Sequence, residues 1–160
     1  IVTKVVIGGE KRQDSVYNGF CEVSPQTEIV LVHDGVRPFL SRRMIQESVD
    51  VAREYGAAIT AIPVYDTIKR VDTSGLVSQT VDREGLWRVQ TPQVFRYEIL
   101  KEAFKKANSE KFYGTDEGTL IEHLGKPVKV VEGSEQNIKI TRPEDLRLSE
   151  IFISKAFSGN

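Results

Sequence analysis

The sequence has one cysteine, Cys21, and two histidines, His33 and His123. A lone thiol excludes an internal disulfide, so a reducing, cytoplasmic setting is expected. One cysteine and two histidines are too few for a structural zinc site of the usual four ligands. Cys21 lies in a helix-like stretch and reads as a small packing residue rather than a reactive thiol. No apolar run is long enough to cross a bilayer as a helix, and no stretch reads as a signal peptide. Excess charge of either sign is also missing. Twenty-two Lys and Arg face 23 Asp and Glu for a net charge of -1, which leaves no footprint for nucleic acid or an anionic membrane. Any phosphate binding must therefore come from a few placed cations. There are no repeats and no low-complexity segment.

What is present suits one soluble domain over residues 1–160: 39% hydrophobic and 28% charged residues are enough for a packed core. The chain starts at Ile1 rather than Met, and its first residues already read as strand, so a fragment is expected. Thr3 to Ile7 is a β-branched run ending in Gly8-Gly9, a strand and a turn. Asp14 to Glu22 carries Val16, Phe20 and Val23 at helical spacing, with Asp14 or Ser15 as cap. Ile29 to Val32 is a buried strand. Ser41 caps a helix with Met44, Ile45, Val49 and Ala52 on one stripe, ended by Gly56. Ala57 to Val64 is the next buried strand.

Thr67 to Val71 and Val77 to Val81 alternate polar and apolar residues around Asp72-Thr73-Ser74-Gly75, which predicts an exposed hairpin. Then come a strand over Trp87 to Val94 and a helix over Tyr97 to Ala107, with Leu100 and Phe104 inward. Thr115 reads as the N-cap of a helix running to Leu124. Val128 to Val131 and Ile138 to Ile140 read as strands. Thr141 and Glu144 form a capping box for the last helix, with Pro143 in its first turn. Strand and helix alternate almost throughout, which predicts an α/β fold with a largely parallel sheet flanked by helices.

In such sheets ligands bind beyond the carboxyl ends of the strands. His33-Asp34-Gly35-Val36-Arg37-Pro38 follows one strand. An acid there holds a hydrated divalent cation or a hydroxyl-bearing substrate, and Arg37 pairs with phosphate or with that acid; a satisfied loop ion pair is the bland alternative. Thr91 bonds a phosphate oxygen or stabilises the turn before Pro92. Thr115 caps its helix or faces an anion. Lys139 snorkels to solvent or reaches the cleft. Asp66 to Arg70 and Asp82-Arg83 alone read as solvated hairpin flanks. Gly8-Gly9 allow close approach of a flat ligand or make an ordinary strand-to-helix turn.

The segments GGEKRQDSV, VLVHDGVRPF, PVYDTIKR, TVDREGLWRVQTPQVF, GTDEG and VEGSEQNIKITRPEDL, in this order, resemble the 2-C-methyl-D-erythritol 4-phosphate cytidylyltransferase family. The resemblance spans Gly8 to Leu146. It implies a Rossmann-like nucleotidyltransferase fold and a homodimer in which a β-arm, here about Tyr65 to Arg83, reaches over the partner's active site. It implies that Gly8, Gly9, Glu10 and Ser15 contact cytosine, with Glu10 acting through its backbone. Asp34 would lie near ribose, metal and substrate, Arg37 near the polyol phosphate, and Thr91, Thr115 and Lys139 along the substrate pocket. Thr67 and Arg83 would reach the sugar phosphate across the dimer.

The family's N-terminal glycine-rich loop, which grips the triphosphate, has no counterpart in this sequence, so this chain alone is expected to be catalytically impaired. The implied reaction is attack of a polyol phosphate on the α-phosphorus of CTP, with Mg²⁺ as cofactor and pyrophosphate leaving. Alternatives are a ribitol 5-phosphate cytidylyltransferase and a non-catalytic nucleotide-binding or dimerising module. Lys69 and Arg83, in DTIKR and TVDREGLW, favour the methylerythritol enzyme.

Overall fold

A computed structural model describes residues 2–157. Ile29–Val32 (β1), Ala57–Pro63 (β2), Trp87–Arg96 (β5) and Lys129–Glu132 (β6) form one sheet in the order β1-β5-β2-β6. Ile68–Val71 (β3) and Val77–Val81 (β4) pair only with each other. The helices are Arg12–Cys21 (α1), Arg42–Tyr55 (α2), Tyr97–Glu110 (α3), Glu117–His123 (α4) and Pro143–Phe157 (α5).

The expected α/β architecture is present, but strand direction differs from the expected largely parallel sheet. β1, β2 and β6 point the same way, whereas β5 runs between β1 and β2 in the opposite sense, so β2–β6 is the one parallel ladder among the described residues. The cause is local. The hairpin intervenes between β2 and β5, and the chain returns directly alongside β2 instead of crossing over through a helix.

Alternation along the strands divides the core in two. Ala57 and Phe95 face a cluster with Phe20, Leu100, Phe104, Leu120 and Ile121, while Ala58 and Val94 face Ala52 and Val131. Thus α1, α3 and α4 cover one face and α2 the other. Aromatic rings fill the first layer, with Phe20 stacked on Tyr97 at 4.9 Å and Tyr17 tilted against Phe104 at 5.2 Å. On α2, Ser48 rather than Ile45 turns inward: Met44, Ser48 and Ala52 are buried, and Ile45 is 36% exposed.

Other local expectations change for physical reasons. Thr3 to Ile7 forms no ladder, because no described strand lies beside it; Asn18 Nδ2 donates to the Ile7 carbonyl instead. Ile138 to Ile140 is also not a strand, its backbone tie being Ile140 N–H to the Val36 carbonyl. α4 is capped by Asp116, not Thr115, since the Asp116 carboxylate accepts from Thr119 N–H at 2.8 Å. At α5 the carboxylate that returns to the Thr141 and Arg142 N–H groups is Asp145, not Glu144. Cys21 is exposed rather than packed.

Gly56 ends α2 with φ of 96°, its N–H donating to the Ala52 carbonyl. A Cβ there would come within 2.5 Å of the Ile99 side chain. Gly56→Ala therefore combines a left-handed backbone cost with a clash. It is expected to lose at least about 1–2 kcal/mol of unfolding free energy in urea titrations.

Candidate active site

The carboxyl ends of β1, β2 and β6 open on one side of the sheet, and β5 is irregular there. Ile59 pairs with Gln93 and Ala61 with Val89, so Gln90, Thr91 and Pro92 bulge opposite Thr60 alone. Thr91 is thus inside a strand and not at a strand end. The bulge turns Gln90 and Thr91 toward the loop after β1 and the loop after β6. Between these parts lies a cavity of about 280 Å³ lined by Arg12, Asp34, Arg37, Gln93, Thr115, Asp116 and Lys139, among others.

Asp34 is its electrostatic centre. Oδ2 lies 3.2 Å from Lys139 Nζ and 3.4 Å from Arg37 Nε, and Oδ1 lies 3.6 Å from Arg12 Nη2. Lys139, in a loop rather than a strand, thus reaches the cleft. Burial acts most strongly on the Asp34 carboxyl and pushes its pKa up, but Lys139, Arg12 and Arg37 together outweigh it and hold the pKa below the ordinary aspartate value. Arg37 is only 12% exposed and donates through Nη1 to the Asn137 carbonyl at 2.7 Å.

Arg12 also makes a two-pronged pair with Glu117, at 2.7 and 2.9 Å. Glu117 is fully buried at the start of α4, so this pair ties α1 to α4. Burial works against the Arg12 charge most strongly, yet the hydrogen bonds and charge of Glu117, with Asp34 and Asp116 beyond, raise its pKa above the usual value. Asp116 spends both oxygens inside the protein, one on Thr119 and one on Gln93 Nε2.

The residues singled out from sequence divide into three groups. Asp34, Arg37, Thr91, Thr115 and Lys139 share the cavity wall. The Thr91 hydroxyl is already engaged, accepting from Asp34 N–H at 3.0 Å and meeting His33 Nδ1 at 2.9 Å. Gly8, Gly9, Glu10 and Ser15 form the turn before α1 and its first residues, and do not line the cavity. Ser15 Oγ accepts from Gly9 N–H, and Asp14 Oδ2 from Lys11 N–H. A Cβ on Gly9 would fall 2.2 Å from Asp14 Cβ, so this close turn requires glycine. Thr67 and Arg83 are exposed on the hairpin, where Arg83 donates to the Tyr65 carbonyl. Arg12, Gln93, Asp116, Glu117 and the buried Asn137 join the site without having been assigned to it from sequence.

A family model described as IspD: 2-C-methyl-D-erythritol 4-phosphate cytidylyltransferase matches residues 2–155. The chain belongs to this family. The 2-C-methyl-D-erythritol 4-phosphate cytidylyltransferase of Pelotomaculum thermopropionicum is 53% identical over 158 residues, covering 99% of this chain and 66% of that protein. The one from Syntrophus aciditrophicus is 50% identical over 151 residues, covering 94% of this chain and 64% of that protein. The chain thus spans just under two thirds of the length of these curated relatives. A crystal structure of the cytidylyltransferase from Thermus thermophilus superposes with a TM-score of 0.83 at 38% identity, covering 91% of this chain and 70% of that one. The Rossmann-like nucleotidyltransferase fold of the family is therefore the fold of this chain.

Two outcomes are expected from these contacts. Glu117→Gln removes the buried charge partner of Arg12 and leaves it the more distant Asp34 at 3.6 Å. Because Arg12 is itself over a third exposed, the loss should sit near the lower end for broken buried pairs, about 3 kcal/mol in urea unfolding. Asp34 has a folded pKa below its unfolded one, so its stabilisation is present above the unfolded value and is lost as pH falls through the folded value. The stability gap between wild type and Asp34→Asn, measured by urea midpoints, should therefore narrow between about pH 5 and pH 2.

Proposed function

We propose that this chain carries the polyol-phosphate half, and the cytosine-binding turn, of a cytidylyltransferase that moves CMP from CTP to 2-C-methyl-D-erythritol 4-phosphate and releases pyrophosphate. The observation that supports it is the cavity in which Arg12, Arg37 and Lys139 surround Asp34, in a chain of this family. Phosphoryl transfer needs positioning and charge stabilisation more than a protein nucleophile. Lys139 and Arg37 would hold the attacking phosphate, Thr115 the polyol, and Thr91 would line the pocket while fixing Asp34. Gly8, Gly9, Glu10 and Ser15 would meet the cytosine, largely through backbone.

The cavity is nearly charge-balanced: Arg12, Arg37 and Lys139 stand against Asp34, Asp116 and Glu117. Two phosphate-bearing substrates would upset that balance, which supports a Mg²⁺ requirement. Asp116 and Glu117 have hydrogen bonds on both oxygens, whereas Asp34 engages Lys139 and Arg37 through Oδ2 and leaves Oδ1 with only the 3.6 Å contact to Arg12. Asp34 is therefore the carboxylate that would meet the ion; no group of three or more potential metal ligands occurs among the described residues. One carboxylate plus substrate phosphates is a usual Mg²⁺ donor set. When bound, the ion would neutralise charge on the phosphates.

The hairpin supports a homodimer. A two-stranded ribbon is marginal alone in water. Here it leaves Val71, Leu76 and Val77 more than half exposed, and Thr67 and Arg83 lie away from their own cavity. As an arm of a single domain, it would place both residues over the partner's substrate phosphate. No described helix is long and apolar enough to cross a membrane. With its single cysteine, the protein suits a reducing, cytoplasmic setting.

The chain, and the chain extended to its relatives' length, are to be assayed for pyrophosphate release from CTP with 2-C-methyl-D-erythritol 4-phosphate, with ribitol 5-phosphate and with neither. Activity of the extended form with the first alone is expected. Preference for ribitol 5-phosphate, or no release while CTP still binds, would replace this reading by one of its alternatives. Removing Mg²⁺ with a chelator should abolish turnover and adding it back should restore it.

The shared site has its own test. Arg83→Ala and Lys139→Ala homodimers should each be nearly inactive. In a mixed dimer one site receives both altered residues and the other neither, so mixing should restore up to about half of wild-type activity per heterodimer. No recovery, with heterodimers present, would place both residues in one chain's site.

A further inference from the structure

Four residues from three separate segments close a ring of hydrogen bonds beneath Asp34. Arg37 Nη1 donates to the Asn137 carbonyl at 2.7 Å. Asn137 Nδ2 donates to the Thr91 carbonyl at 2.8 Å. The Thr91 hydroxyl lies 2.9 Å from His33 Nδ1, and His33 Nε2 lies 2.9 Å from the Arg37 carbonyl. The last contact fixes the proton positions. A carbonyl only accepts, so Nε2 carries a hydrogen. In a neutral ring Nδ1 is then an acceptor, and the Thr91 hydroxyl donates to it. The same hydroxyl oxygen accepts from Asp34 N–H at 3.0 Å, so the ring grips the backbone of Asp34 itself.

We infer that His33 and Asn137 are positioning residues: they set the directions of Asp34 and Arg37 without touching substrate. This rests on the reaction proposed above. Neither residue lines the cavity around Asp34; Asn137 borders the adjoining cavity that shares Arg37 and Lys139, but it is fully buried. Its N–H also closes its own loop onto the Ser134 carbonyl, two residues before Lys139 leaves for the cleft. The ring therefore sets Arg37 and Thr91 directly and anchors the loop that carries Lys139. The Asn137 Oδ1 has no protein donor among the described residues, although the residue is buried. Its value to the fold is thus not complete satisfaction of its own polar atoms; what it provides is the link between β5 and Arg37.

The ring can be tested with and without catalysis. In this chain, nitrogen NMR of the imidazoles, recorded at a pH where the His33 ring nitrogen shifts report a neutral ring, should show it as the Nε2–H tautomer. The Nδ1–H tautomer, or an equal mixture, would overturn the inference whatever the activity. In the form that turns over, His33→Ala and Asn137→Ala should each lower kcat about a hundredfold per folded molecule, the scale set by a small misplacement of reacting groups, with KM changed only a few-fold. His33→Gln keeps a donor for the Arg37 carbonyl and His33→Asn keeps an acceptor for Thr91, so each should recover part of the loss. The double variant should be no slower than the slower single, because one ring broken twice is still one broken ring. Multiplying losses, or losses that vanish when rates are scaled to folded protein, would overturn it. A wild type that folds with the expected tautomer but releases no pyrophosphate would instead count against the reaction and leave the ring standing.

Discussion

The Asp34 carboxylate lies 3.2 to 3.6 Å from three cations, and each cation arrives from a different part of the chain. Arg12 opens α1, Arg37 sits in the loop after β1, and Lys139 sits in the loop after β6. One carboxylate thus draws together segments that are more than a hundred residues apart in sequence. Opposite charges at such distances attract strongly where water is thin, and three cations left without that carboxylate would repel one another. The supporting contacts follow from this constraint. Glu117 takes up the far side of Arg12, and the Asn137 carbonyl takes up the far side of Arg37. The cavity wall alternates charge, with Asp34 and Asp116 lining it beside Arg12, Arg37 and Lys139 and only Glu117 set behind, on the far side of Arg12.

Much of the layered fold was legible because it rests on short-range rules. Ser41 and Gly56 bound α2 as cap chemistry requires, and Leu100 and Phe104 face inward as their spacing requires. The direction of β5 was not legible, since period and propensity are the same for parallel and antiparallel strands. Thr3 to Ile7 and Ile138 to Ile140 have strand-like composition but lack a described neighbour to pair with. At the site, Asp34 and Arg37 were readable as polar residues beyond a strand end. Lys139 reads within a short strand as a side chain that either snorkels to solvent or reaches the cleft, and only the structure takes it out of a strand and into the cleft. Glu117 was not legible. A glutamate in a helix's first turn is ordinarily a solvated dipole partner, and only its contact with Arg12, 105 positions away, makes it a buried one. Asn137 and His33 hid for the same reason: their roles consist of partners, not of spacing.

The hairpin β3–β4 contrasts with the rest. It holds itself by a ladder, by Lys69 Nζ to Thr80 Oγ1 at 2.6 Å, and by a turn in which Asp72 accepts from Ser74 and Leu76 N–H groups. Those turn bonds act on the Asp72 carboxyl more strongly than any burial, led by the Ser74 hydroxyl, and lower its pKa. The ribbon is therefore ordered locally while its apolar side chains stay uncovered. Local order without coverage is what an element needs if its shape must exist before it meets another surface.

The bulge in β5 has a counting consequence. Between matched pairs Ile59–Gln93 and Ala61–Val89, β2 has one residue and β5 has three. The excess is two, an even number, so the strand leaves the bulge with its inward and outward faces unchanged. A deletion of one residue from Gln90-Thr91-Pro92 would turn Trp87 and Val89 to the wrong side of the sheet. A deletion of two would restore a plain ladder and keep every face in place, while removing the residues that reach the loops around Asp34. Length changes at this point thus separate along parity: odd ones act first on the sheet, and even ones spare the sheet and act on the site.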